Sequence, residues 1–143
     1  MLEFEKVLET AVQSVILPVS ERFSGVLVCR AYQRRGLTFP AVSVRVTGIS
    51  EDWPGKRLMF SADVSVFVAT YIADDPEEKT LDEISSAVRE ILLDCSTPLL
   101  DRVSAAAPSL SVFAVVLGDS FKDSPDACYR NTFQLTVKFS PRP

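Results

Sequence analysis

"FPAVSVRVTG", residues 39–48, sets valine against polar residues in strict alternation: Val42, Val44 and Val46 fall on one side, Ser43, Arg45 and Thr47 on the other. That period of two marks a strand with one buried face. A proline opens it and a glycine closes it. Two later stretches repeat the pattern. Leu58, Phe60, Ala62, Val64, Val66 and Val68 stand opposite Ser61, Asp63 and Ser65, and Phe133, Leu135, Val137 and Phe139 alternate with Thr132, Gln134, Thr136 and Lys138. The row from Leu58 is the longest, long enough to extend past its neighbours and make contacts outside the domain. Two more strands are predicted at Gly25 to Tyr32 and Ser111 to Leu117, where a nearly continuous apolar run implies cover on both faces.

Between the strands the period changes. Phe4, Val7, Leu8, Ala11, Val12, Val15 and Ile16 form a helical stripe that Pro18 should end. Thr80-Leu81-Asp82-Glu83 reads as a capping box, with Leu81, Ile84, Val88, Ile91 and Leu92 as the stripe behind it. Ser96-Thr97-Pro98 starts a short third helix that runs to Ala107 before Pro108. The predicted order is α-β-β-β-α-α-β-β. This is an α+β fold: a mainly antiparallel sheet of about five strands with helices packed on one face, as a single domain. Three polar connectors stand out, at Ser50 to Arg57, Ala73 to Lys79 and Gly118 to Tyr129, the last long for a hairpin loop.

Composition narrows the function. The 143 residues are 47% hydrophobic and 24% charged, the balance of one soluble domain with no need of metal or disulfide staples. The longest apolar runs fall far short of the ~20 residues of a membrane helix, and the acidic start Met1-Leu2-Glu3-Phe4-Glu5 does not fit an export signal. The expected compartment is therefore the cytoplasm of the producing cell, with no membrane partner. Net charge is −4, which argues against broad nucleic-acid binding through a basic face. The odd set Cys29, Cys95 and Cys128 has no CxxC spacing and reads as packing or surface cysteine.

The sequence contains no histidine, which removes Ser-His-Asp and Cys-His catalysis and every histidine-based metal motif together. It has neither a GxxxxGK[ST] loop nor a GxGxxG turn. Asp74, Asp75, Glu77 and Glu78 could act as an acid–base or cation cluster, or simply favour the positive end of the following helix. Asp119, Asp123 and Asp126 lack the spacing of a calcium loop. Arg30, Arg34 and Arg35 are either a contact for phosphate or partner acids, or a solvated hairpin end. Trp53, beside Pro54-Gly55, is either folded back on its own domain or an interface anchor. No catalytic residue, metal site or cofactor is implied, and the body fits a binding or assembly protein better than an enzyme.

The stretch from Phe39 to Gly48 resembles the first core strand of the tail-terminator proteins of long-tailed phages, the minor tail proteins that cap the tail tube. The resemblance continues in order through an N-terminal helix, a charged turn holding Trp53, a long strand from Arg57 to Tyr71, an acidic connector, a helix near Leu81-Asp82, a Pro-bearing break with a short helix, and a closing hairpin ending in "TFQLTVKF". It departs at Gly25 to Gly36, a more regular strand than the family has there, and at 118–129, which has no clear match. The resemblance implies a homo-oligomeric, hexameric ring on the tail tube that faces the head connector. Its setting would be the virion tail, or the host cytoplasm during assembly, and it would bind no nucleic acid sequence-specifically. From their expected exposure, the interface would use Trp53, Asp74, Asp75, Glu77, Glu78, Phe121 and Tyr129. The alternatives are another neck or tail-tube component of a phage or prophage, a cytoplasmic adaptor, or a small enzyme using carboxylates and a metal.

Overall fold

The computed structural model describes residues 2–23, 25–30, 40–52, 59–94, 96–125 and 127–142. Its elements are α1 (Leu2–Ile16), α2 (Val19–Arg22), β1 (Leu27–Arg30), β2 (Ala41–Asp52), β3 (Met59–Tyr71), α3 (Lys79–Leu92), α4 (Leu99–Ala106), β4 (Leu110–Asp123) and β5 (Cys128–Pro141), with two 3₁₀ turns before α3. The strands form one sheet in the order β1-β2-β3-β5-β4. Every pairing is antiparallel except β1 with β2. The α+β class and the element order are those predicted from periodicity.

The core is one face of this sheet under α1, α3 and α4. Register puts Val42, Val44 and Val46 of β2 beside Val68, Val66 and Val64 of β3, which in turn face Phe133 and Leu135 of β5 across the next ladder. All are buried, because the pleat sends every second side chain to the same side. α1 lays Leu8, Ala11, Val12 and Ile16 on this layer, and α3 adds Leu81, Ile84, Val88 and Leu92. At one end Phe4 meets Phe60 and Phe139, with ring centroids 5.4 and 5.5 Å apart, and Phe60 stacks on Phe139 at 5.5 Å. α4 locks the layer through Arg102, whose guanidinium donates to the carbonyls of Ile91, Leu92, Asp94 and Thr97. Ile91 and Leu92 close α3, where the last carbonyls lack partners within the helix.

Several expectations are corrected. β2 runs on past Gly48 to Asp52 through a bulge between Val46 and Gly48. β3 does not project beyond its neighbours; it is the central strand, paired with β2 from Met59 to Ala69 and with β5 from Phe60 to Tyr71. β4 is not covered on both faces, since it forms an edge of the sheet and exposes Phe113 and Val116. Most of the supposed late loop is strand: β4 continues to Asp123 and β5 begins at Cys128. β1 lies parallel to β2, so Arg30 is not at a hairpin end; Arg34 and Arg35 lie outside the described residues. The Thr80–Glu83 box is not the cap of α3; that role belongs to Asp75. No helix among the described residues is long and apolar enough to cross a membrane.

Candidate functional site

Among the described residues the helices pack on one face of the sheet, and no described helix layer covers its second face or the outer edge of β4. Residues that alternate with the core point here: Ser43 and Arg45 of β2, Ser65 and Phe67 of β3, Thr132 and Gln134 of β5. Ser43, Ser65 and Thr132 of this face are themselves buried. Towards β4 the surface becomes apolar. Val116 pairs with Thr136 and Phe121 with Thr132, which places both on the uncovered face, and they are 58% and 47% exposed. Phe113, at 39%, sits in a bulge between Val112 and Ala114.

None of these three side chains belongs to the core cluster. An edge also presents unpaired backbone N–H and C=O groups to any chain that can pair with them. Here two bulges, at Val112/Ala114 and Leu117/Ser120, and the charges of Asp119, Lys122 and Asp123 interrupt the edge, the usual means of keeping such pairing selective.

One end of the face is braced by Arg130. Its Nε donates to Asp123 Oδ1 at 2.8 Å across the β4–β5 ladder, while its guanidinium lies 5.2 Å from the centre of the Phe67 ring. The hydrogen bonds from Arg130 hold the Asp123 carboxyl below its usual range, and Asp123 in turn raises Arg130.

The acidic connector lies at the same end. The Ile72 N–H donates to Ala127 O, and Tyr71 pairs with Cys128, so the connector leaves β3 beside the start of β5. Its four acids have different fates. Asp75 is 1% exposed and accepts from the Thr80 N–H at 2.7 Å, the Leu81 N–H at 3.0 Å and the Thr70 hydroxyl at 2.8 Å. Burial would raise its pKa, but these hydrogen bonds outweigh that and lower it. Its buried position takes it off the surface where exposure had been expected. Glu77 and Glu78 both have left-handed backbones, with φ of 60° and 58°, a conformation that costs roughly 1–2 kcal/mol for each non-glycine residue. Glu78 is half-buried and ion-paired with Lys122, while Asp74 and Glu77 are exposed.

Among the remaining expected interface residues, Phe121 is on the uncovered face, whereas Tyr129 is half-buried against the core on the helix side. Trp53 lies outside the described residues; Asp52 and Met59, on either side of its segment, pair at the opposite end of the sheet from the connector. The structure therefore brings Phe121 and the connector acids to one end and leaves them on different faces. A cleft lined by Pro40, Thr70, Tyr71, Asp74, Asp75 and Thr80 measures about 40 Å³, far below the ~300 Å³ at which small-molecule pockets begin. Among the described residues no group of three or more Cys, Asp or Glu is placed to hold a metal ion.

Sequence reasoning missed Phe113 and Val116, because an apolar run was taken to mean burial on both faces. It also missed the buried pair of Glu9 and Arg30. Arg30 Nη2 lies 2.7 Å from Glu9 Oε1, and Glu9 Oε2 accepts the Val46 N–H at 2.8 Å, past Val44, the last β2 residue paired with β1. A glutamate inside an apolar helical stripe, at Glu9 between Leu8 and Ala11, was the available signal.

No protein-family model matches the chain, and no curated protein matches it. Among solved structures it is similar to the bacteriophage SPP1 gp17 protein, at 15% identity and a TM-score of 0.36, over 92% of this chain and 89% of that one. Likeness at that level carries neither a family nor a function to this chain.

Proposed function

We propose that this chain is a non-enzymatic assembly subunit of a phage tail, of the tail-terminator kind, which forms a ring that caps the tail tube and meets the head connector. The observation that carries the proposal is the one-sided construction of the sheet. Helices cover one face, while the other face and the edge of β4 keep Val116 and Phe121 at the surface. A self-assembling subunit needs such uncommitted surface, and a closed ring needs two different patches on each copy. The sequence resemblance from Phe39 to Gly48, together with the shared element order, supplies the tail-terminator assignment.

Negative-stain electron microscopy of the purified protein over a range of concentrations, with mass by light scattering, tests this reading. Closed rings of uniform size are expected, and they should bind the end of isolated tail tubes. Open filaments would move the assignment to a tube subunit, because the same heterologous contact would then fail to close. A protein that stays monomeric both alone and with tail tubes would overturn it.

A further inference from the structure

The distal half of β4, from Gly118 to Asp123, is exposed at every residue and has β5 on one side only. On the helix side two polar contacts hold it: Arg89 Nη2 to Ser120 Oγ at 3.4 Å, and Lys122. Lys122 Nζ lies 3.1 Å from Glu78 Oε2 and 2.7 Å from Asp82 Oδ1. Glu78 and Asp82 are four residues apart at the start of α3, where like charges repel, and the ammonium between them removes that repulsion. These hydrogen bonds raise the Lys122 pKa.

Two features make this contact more than an incidental surface pair. First, it closes on a strained element: Glu77 and Glu78 are the non-glycine residues with positive φ among the described residues, and Glu78 is itself one of the two acids that Lys122 grips. Such backbone persists only when its surroundings hold it. Asp75 holds the turn from the core side through Thr80 and Leu81, and Lys122 holds it from the sheet edge. Second, the side chains of Lys122, Glu78 and Asp82 are 46%, 35% and 56% exposed, so mobile ions reach and screen the contact.

We propose that Lys122 is an ionic-strength-sensitive latch that couples the Glu77–Glu78 turn to the free half of β4, so that the two segments open and close together. With the latch shut, the edge is held at a fixed angle to α3. With it released, the turn relaxes and the edge moves independently of the helix layer.

Amide hydrogen exchange by mass spectrometry on the full chain tests the latch. At about 0.1 M salt, Lys122→Gln is expected to speed exchange about tenfold in both 77–81 and 118–123, with 59–71 unchanged, and Lys122→Arg to retain protection. Wild type at about 1 M salt should resemble Lys122→Gln. Adding Glu77→Gly to Lys122→Gln relieves one of the two strained residues without touching the latch partners, so it should restore part of the protection of 77–81 and leave 118–123 fast. The proposal is overturned if Lys122→Gln leaves both segments at wild-type rates or loosens only one of them. It is equally overturned if the added glycine changes nothing, because strain would then play no part in the coupling.

Discussion

The two faces of this sheet are made by the same strands, residue by residue in alternation, yet they follow different rules. On the helix side the core residues of the sheet are packed and the buried carboxylates are answered: Glu9 by Arg30 and the Val46 amide, Asp75 by Thr70 and the Thr80 and Leu81 amides. On the other side small polar residues fill the centre while large apolar ones are left at the edge of β4. The first face carries the stability of the domain, and the second is free to vary without unfolding it. Substitutions of equal chemical size should therefore have effects on stability that differ by an order of magnitude between the faces.

The largest effect should come from Phe139→Ala, which empties the aromatic cluster with Phe4 and Phe60. A loss of about 4 kcal/mol is expected, read from the urea midpoint. If the cost is below about 1 kcal/mol, the cluster is not packed as described. Next comes Glu9→Ala, which takes the carboxylate from the buried Arg30 and the acceptor from the Val46 N–H; about 3 kcal/mol is expected. Replacing Glu9 and Arg30 together by Leu and Met should cost less than the single change, since the pair's own attraction is largely cancelled by desolvation, while the Val46 N–H loses its acceptor in both.

Asp75→Ala should cost about 1–2 kcal/mol, the value of a good helix cap. It should also change the acid limb. Asp75 has a lowered pKa in the folded chain, so its contribution is complete above the unfolded value of 3.8 and is lost as pH falls through the lower folded value. The mutant's stability should accordingly fall less steeply below pH 3.8 than that of wild type, and identical acid limbs would rule out the cap as drawn. The smallest effect on folding belongs to Phe121→Ser and Val116→Ser, within about 0.5 kcal/mol of wild type. These two should nevertheless weaken assembly by light scattering, and a pair of variants that unfold early but assemble normally would invert the comparison.

How far the sequence could be read follows the same division. Where a face is buried, alternation betrays it, so β2, β3, β5 and the stripes of α1 and α3 were legible to within a few residues. Where neither face is buried, there is nothing to alternate: Gly118 to Asp123 looked like loop because an exposed edge strand needs no apolar period. The described part of β1 has four residues, too few to reveal that its partner runs parallel. Asp75 caps amides five and six residues further on, across a turn that no local motif describes. The acidic connector was recognised as a distinct segment, but its division into a buried cap, a latch partner and two exposed acids depends on contacts with β3 and β4.

The order β1-β2-β3-β5-β4 puts the last of the described strands inside the sheet rather than at its rim. During synthesis, then, β3 and β4 must wait with facing edges open until residues 128–141 leave the ribosome and slot between them. At translation rates of roughly 5–20 residues per second, the valine row of β3 stays unpaired on that side for seconds. Its capture by another nascent chain, rather than any weakness of the finished fold, would be the point at which high-level expression of this protein fails.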